Sequence, residues 1–309
     1  MRPYFSVIVP TFNRARFVVA TIESVFAQTY RDFELIIIDD GSSDETPGIL
    51  KGYSDHAKIV SQPNRGPGSA RNHGAQLARA SHIVFVDSDD VWFPWTLETY
   101  RKITEEAPDV VLILGAPVHF SCSQSLAQVK QDSLSYVVYN DYLATSRTNL
   151  FRGSGVMAIQ ANMFRELGGF AESRAYSEDL DFLMRCGECG PLAAISSPLT
   201  LGRRTHGLSS VGNMQLTYQG MKRLLELEQQ KQYPGGSTRK WERRRLLCLQ
   251  ARAVSNWCLK AKMRSEAFDV YFRTFQWQLR LGYLLHLVKI PTLALFPWLR
   301  VVRQIMRRL

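Results

Sequence analysis

Cysteine is scarce in this chain: five in 309 residues, Cys122, Cys186, Cys189, Cys248 and Cys258. An odd, sparse set argues against a disulfide framework and for a reducing compartment. Cys186 and Cys189 have C-x-x-C spacing, but no second pair or His-x-x-x-His follows. Two half-buried thiols on a helix are expected there rather than a closed zinc site. Long apolar runs are missing too. The longest charge-free run near the C-terminal end, residues 290–299, is well short of the ~20 residues a spanning helix needs. Only four residues precede the apolar run 5–9, so no secretory leader is expected. Internal repeats and low-complexity tracts are absent. Acidic residues are lacking in one region: residues 216–309 hold 5 Asp+Glu against 19 Lys+Arg.

That local deficit explains the formal net charge of +10. Residues 1–215 hold 19 Lys+Arg and 23 Asp+Glu, a net of −4, and residues 216–309 carry +14. The asymmetry points to a division of labour: an α/β domain over 1–215 and a basic helical region over 216–309. A 45 % hydrophobic share with 21 % charged residues excludes wholesale disorder. The positive excess suits nucleic acid, an anionic membrane surface or an anionic substrate.

Strands and helices alternate along the first half. Residues 5–9, 35–38, 58–60, 83–86 and 110–114 are short apolar runs of the buried-strand type. Helices are expected over 13–28 (capped by Asn13), from near Asp44 with Pro47 in its first turn, over 70–80 after a turn at 66–68, and from Pro94 to 106. Residues 155–159 suggest a strand, and 161–167 a helix stopped by Gly168-Gly169. Ser177 can cap a helix opening at Glu178. Residues 115–150 give no clear signal, and helices follow from 216 with a turn at 234–237. This pattern predicts a mostly parallel sheet covered by helices on both faces. Ligands of such sheets bind outside the carboxyl ends of the strands. Asp39-Asp40 and Asp87-Ser88-Asp89-Asp90 both follow strands directly, so they should meet in one cleft.

These residue types suit defined chemistry. Asp87-Ser88-Asp89 could hold Mg²⁺ or Mn²⁺, which takes one or two carboxylates and completes its shell with water and phosphate oxygens. The same acids would also serve as a capped turn. Asp39-Asp40 could accept hydrogen bonds from a base or ribose, or simply cap a loop. Arg71 could face phosphates or lie solvated on its helix. Glu178-Asp179 would also complement the dipole of the helix they open.

In order along the chain stand Ser6-Val7-Ile8-Val9-Pro10-Thr11-Phe12-Asn13, Gln28-Thr29-Tyr30, Phe33-Glu34-Leu35, Asp39-Asp40-Gly41-Ser42-Ser43-Asp44, Asn64-Arg65-Gly66, Ala70-Arg71-Asn72-His73-Gly74 and Val86-Asp87-Ser88-Asp89-Asp90. Gly168-Gly169-Phe170 and Glu178-Asp179-Leu180-Asp181 follow. Over roughly residues 5–210 the chain resembles family 2 glycosyltransferases of the GT-A fold. The resemblance implies an inverting, metal-dependent hexosyltransferase using a nucleotide-sugar, a UDP-sugar above all, in polysaccharide biosynthesis. It implies that Pro10, Thr11 and Phe12 line the base pocket, that Asp40 accepts from the uracil ring, and that Asp39 supports its loop. Asn64 and Arg71 would bracket the nucleotide, and Asp87 and Ser88 would lie near ribose and diphosphate. Asp89 would hold Mn²⁺ or Mg²⁺, with Asp90 a second candidate. Asp179 would be the catalytic base, beside Glu178. The stretch Arg203-Arg204-Thr205-His206-Gly207-Leu208-Ser209-Ser210 resembles the segment that often closes this domain, bringing Arg204, His206 and Ser209 to the diphosphate.

The basic end mixes apolar and cationic residues. Arg300, Arg303 and Arg307 share one helix face, with Val301, Val302, Ile305, Met306 and Leu309 opposite, the pattern of a helix lying in a membrane interface. A spanning segment or a solvated lid or oligomer surface would use the same residues. The sequence thus points to a cytoplasmic enzyme, peripheral on the inner face of the cell membrane, acting on a lipid-linked or cell-surface glycan. A nucleotidyltransferase would need a Gly-rich phosphate loop where Pro10-Thr11-Phe12-Asn13-Arg14 stands. An inactive membrane-associated scaffold would not need the acids. Nucleic acid is not expected as a partner, because the tail lacks an aromatic-interleaved recognition motif.

Overall fold

The computed structural model describes residues 2–121, 126–148, 150, 153–172, 176–205 and 213–295. These form two compact units. The first takes in residues up to 145, together with 150, 153–172 and 178–205; the second takes in 146–148, 176–177 and 213–295.

In the first unit the apolar runs become strands β1 (Phe5–Thr11), β2 (Phe33–Asp39), β3 (Lys58–Ser61) and β4 (His82–Phe85). Next come a two-residue β5 (Val91–Trp92), then β6 (Leu112–Leu114), β7 (Pro117–Phe120), β8 (Ser135–Tyr139), β9 (Met157–Gln160), β10 (Leu192–Ser197) and β11 (Leu201–Arg204). The main sheet runs β3-β2-β1-β4-β9-β6-β10-β8, and a small sheet runs β5-β11-β7. β1 pairs in parallel with β2 and β4, and β10 with β6. β9 lies antiparallel between β4 and β6, and β8 runs antiparallel to β10. The mostly parallel sheet expected from the alternation is therefore present, with two reversed strands. β1 is buried at every position, as a strand covered on both faces must be.

The helices of this unit are α1 (Val18–Phe26), α2 (Thr46–Lys51), α3 (Pro67–Leu77), α4 (Thr96–Glu106), α5 (Ala161–Glu166) and α6 (Glu178–Arg185). Two differ from the sequence reading. Asn13 does not cap α1. Its backbone is left-handed, φ 52°, a conformation Asn tolerates, and its side chain accepts from Ser43 N–H at 2.8 Å. That bond ties the β1 and β2 loops together, and α1 starts five residues later. The turn expected at 66–68 is instead the start of α3, with Pro67 in its first turn, where a missing N–H costs nothing. Gly74 allows α3 to lie against β1: a β-carbon there would come within 2.5 Å of Ile8 Cγ2.

The second unit is helical: α7 (Met214–Gln229), α8 (Lys240–Lys260), α9 (Arg264–Arg280) and α10 (Leu284–Leu295). Asn213 caps α7 by accepting from Leu216 N–H. A buried ion pair links Glu228 of α7 to Arg243 of α8 at 2.7 Å, and Arg243 also donates to the Pro234 carbonyl at 2.8 Å. Among the described residues no helix is long and apolar enough to cross a membrane.

Candidate active site

Parallel register brings the carboxyl ends of three strands level. Thr11 of β1 stands beside Asp39 of β2, and Asp39 beside Ser61 of β3. Asp39 accepts from Ser42 N–H at 3.1 Å and Ser61 Oγ at 3.3 Å. Asp40 accepts from Gln62 Nε2 at 2.8 Å, Arg65 N–H at 3.0 Å and Gly66 N–H at 2.8 Å. Both acids are buried, and both anchor the loop carrying half-buried Asn64. Gly41, φ 78°, allows that loop to close in, since a β-carbon would sit 3.0 Å from Asn64 N. Pro10 is buried and Phe12 exposes its ring. Thr11 Oγ1 is buried without a hydrogen-bond partner.

The second acidic cluster follows β4. Ser88 and Asp90 are buried, and Asp87 and Asp89 half-buried. Arg71 of α3, only 4 % exposed, donates to Asp87 Oδ1 at 2.7 Å and to Glu178 Oε1 at 2.8 Å. It thereby joins the β4 loop to the first turn of α6. Its two carboxylate partners hold its pKa above the ordinary arginine value although burial opposes this. Arg71 is therefore a buried bridge rather than a solvated helical residue. Arg14 Nε lies 3.3 Å from Asp89 Oδ2. Arg204 donates its backbone N–H to Asp90 Oδ1 at 2.8 Å and its Nε to the Asp89 carbonyl at 3.1 Å. Its guanidinium lies 4.7 Å from the Phe120 ring centroid. Arg203 approaches Asp90 Oδ2 to 3.7 Å.

Asp179 sits, half-buried, in the first turn of α6. Its Oδ1 accepts from Leu180 N–H at 2.8 Å. Removal from water pushes its pKa up to about 7; Glu178 and Asp87 add to the rise, and Arg71 and the Leu180 N–H oppose it. A β-carbon on Gly153 would lie 3.4 Å from Asp179 Oδ2 and 3.5 Å from Arg203 Nη2. One on Gly155 would lie 2.9 Å from Asp87 Oδ2. Gly153 thus leaves room beside Asp179, and Gly155 beside Asp87.

The acidic loop carries the carboxylates that could hold a divalent cation. Burial, with Asp87 and Asp89 adding repulsion, pushes Asp90 up to about 8, a crowding of negative charge that a cation relieves. Among the described residues no three His, Cys, Asp or Glu side chains form a ready cage. An ion that keeps water and substrate oxygens in its shell does not need one.

The structure therefore gathers Asp87, Ser88, Asp89, Arg71, Glu178 and Arg204 around one acidic loop, with Asp39, Asp40 and Asn64 at the neighbouring strand ends. His206 and Ser209, and Arg300, Arg303 and Arg307 of the tail, lie outside the described residues. Sequence reasoning missed Arg14, Arg203, Gly153 and Gly155. Arg14 stood in the loop after β1 and Arg203 beside Arg204, but nothing local marks an ion pair across 75 residues. Cys186 is buried and Cys189 half-buried, both as free thiols; Cys186 opens a 3₁₀ turn after α6.

The sequence model described as Glycosyl transferase family 2 matches residues 6–168. An uncharacterized glycosyltransferase of Rickettsia prowazekii is 32 % identical over 182 residues, 58 % of this chain and 57 % of the relative. The chain thus matches little more than half of that relative's length. Glycosyltransferase GlyG of Streptococcus pneumoniae is 33 % identical over 117 residues, 36 % of this chain and 39 % of the relative. Among solved structures, S. aureus TarS 1–349 in complex with UDP-GlcNAc is similar at TM-score 0.58 and 18 % identity, covering 90 % of this chain and 92 % of that one. Mannosyltransferase PcManGT of Pyrobaculum calidifontis, in complex with GDP-Man and Mn²⁺, is similar at TM-score 0.53 and 17 % identity, covering 96 % and 88 %. At these identities the likeness is one of fold: the mostly parallel GT-A sheet with its helices, followed by a helical region.

Proposed function

This chain belongs to glycosyl transferase family 2, and we propose that it moves a sugar, with inversion, from a UDP-sugar to a hydroxyl of a lipid-linked or cell-surface glycan. The single observation that carries this reading is Asp179. It is a half-buried residue at the start of α6 whose carboxyl pKa is pushed up to about 7 by removal from water, with Gly153, which carries no side chain, beside its Oδ2. In-line attack on an anomeric carbon needs a base on the face opposite the leaving diphosphate. Asp179 would take the acceptor hydroxyl's proton, a role that typically contributes ~10²–10⁴-fold.

The remaining residues would bind and orient. Phe12 offers an exposed ring for the base to stack on. Asp40 accepts three hydrogen bonds already, leaving about one of its roughly four lone-pair sites for a uracil N–H. Arg14 and Arg203 lie beside the acidic loop, where positive charge would meet a diphosphate. Asp89, with Asp87, would hold Mn²⁺ or Mg²⁺, which when bound neutralises charge on the leaving diphosphate. The bound UDP-GlcNAc of TarS and the GDP-Man and Mn²⁺ of PcManGT support a nucleotide-sugar donor and a metal. The basic second unit supports a cytoplasmic enzyme held at an anionic membrane face.

Thermal shift across a panel of nucleotide-sugars with Mn²⁺ identifies the donor, because a ligand stabilises the fold by mass action. With that donor, Asp179→Asn should retain binding and lose transfer. Full transfer by the variant would remove Asp179 as the base.

A further inference from the structure

The helical unit exposes more apolar surface than a solvated cap needs. On α9, Phe268, Phe272, Phe275 and Leu279 recur at i, i+4, i+7 and i+11, one stripe of a helix about 25 Å long. Phe272 is 66 % exposed and stacks on Phe268 with ring centroids 5.8 Å apart. The opposite side of α9 is spent on the unit's own core through Ala267, Val270, Thr274 and Trp277. The next helix repeats the arrangement. α10 buries His286, Leu287, Ile290 and Ala294, and turns Leu285, Val288 and Leu295 outward, with Leu285 82 % exposed. The turn between the helices brings exposed Leu279, Leu284 and Leu285 within seven residues of one another.

Cations frame these stripes. Lys260, Lys262 and Arg264 are exposed at the α8–α9 turn, and Arg280 is exposed at the far end of α9. The two acids of α9 stand off the aromatic stripe on the helical wheel; Asp269 is paired with Arg273 at 2.9 Å and Glu266 accepts from Ser265 at 2.7 Å. Residues 216–295 hold 15 Lys+Arg and 5 Asp+Glu, a net of +10. A second copy pressed face to face would oppose like charge with like. An anionic bilayer offers the complement of both features: phosphates for the cations and acyl chains for the phenylalanine and leucine side chains.

We infer that the α9–α10 corner, through Phe272, Leu285 and Val288, is a docking surface for an anionic lipid bilayer. This rests on the reading of the basic C-terminal region as membrane-associated, and moves the contact from residues 300–309 to two formed helices. The face would lie in the interface without crossing it.

Sedimentation of the full chain with vesicles tests the inference. Vesicles of phosphatidylcholine with phosphatidylglycerol should pellet the protein, phosphatidylcholine alone should pellet far less, and added salt should release it. The combined variant Phe272→Ser, Leu285→Ser, Val288→Ser should bind anionic vesicles at least about ten-fold more weakly. Its helical circular dichroism and nucleotide-sugar binding should stay unchanged, because all three side chains face solvent. Leu285→Ser alone should give a smaller loss. Equal vesicle binding by wild type and the combined variant overturns this surface and leaves attachment to residues beyond 295. No vesicle binding by wild type overturns the membrane reading itself. A wild-type dimer that the combined variant abolishes, without vesicle binding, makes the occupant a second copy and overturns the inference.

Discussion

Asp179 differs from Asp87 and Glu178 in its partners. Asp87 and Glu178 both grip Arg71, whereas the hydrogen bond that Asp179 accepts comes from the adjacent Leu180 N–H. Loss of hydration and the neighbouring negative charges raise it to about 7, where a general base works best at neutral pH. A base must be deprotonated to act, so transfer should climb as pH rises through about 7 and fall away below it; a pH–rate profile checks this. Stability runs the other way. The raised native pKa gives a contribution that is full below about 4 and lost as pH rises through about 7. Asp179→Asn should therefore unfold less pH-dependently than wild type across that window in thermal melts. Gly155 acts by having no side chain. Gly155→Ala would place a β-carbon 2.9 Å from Asp87 Oδ2 and push that carboxylate aside. Donor affinity should drop about ten-fold, and the melting temperature should fall by less than with loss of Arg71 itself, because the Arg71–Glu178 pair remains. Titration calorimetry with the donor separates the two.

At the scale of elements, Arg71 joins three segments that are far apart in the chain: α3, the loop after β4 and the first turn of α6. Removing one member of a buried ionic network typically costs ~3–5 kcal/mol. Arg71→Gln should therefore lower the melting temperature. It should also move the rate midpoint above that of wild type, because Arg71 opposes the rise at Asp179; a merely structural arginine would leave the midpoint in place. Local patterns announced most of these elements. Buried strands read as apolar runs, and Pro67 sits where α3 can accept it. Residues 115–150 gave no such signal because β7 and β8 carry mixed burial, with neither a clean period of two nor a continuous apolar run. Asn13 looked like a cap because its residue type suits caps and left-handed turns equally. Its bond to Ser43 N–H, thirty residues away, decided between them.

At the scale of the molecule, the charge split marks two chemistries. The acidic half gathers carboxylates at neighbouring strand ends, and on the proposed reading a cation would let them receive a diphosphate. The melting temperature should rise with UDP plus Mn²⁺, by a few degrees at saturating ligand, and most of that rise should vanish with a chelator. An equal rise without metal would detach the nucleotide from the acidic loop. Among the described residues the basic half forms four helices, two of which, α9 and α10, turn phenylalanine, valine and leucine side chains outward, and this surface became visible only once burial had shown which apolar residues the core leaves unused. The sequence by itself determined the strand–helix alternation, the placing of acids after strands and the uneven charge, because these are written in neighbouring residues. Only the tertiary structure decided which atoms meet: β9 entering antiparallel, Arg14 on Asp89, Arg203 and Asp179 both beside Gly153. Those contacts join positions tens of residues apart, and packing rather than local propensity selects among the partners that like residue types leave open.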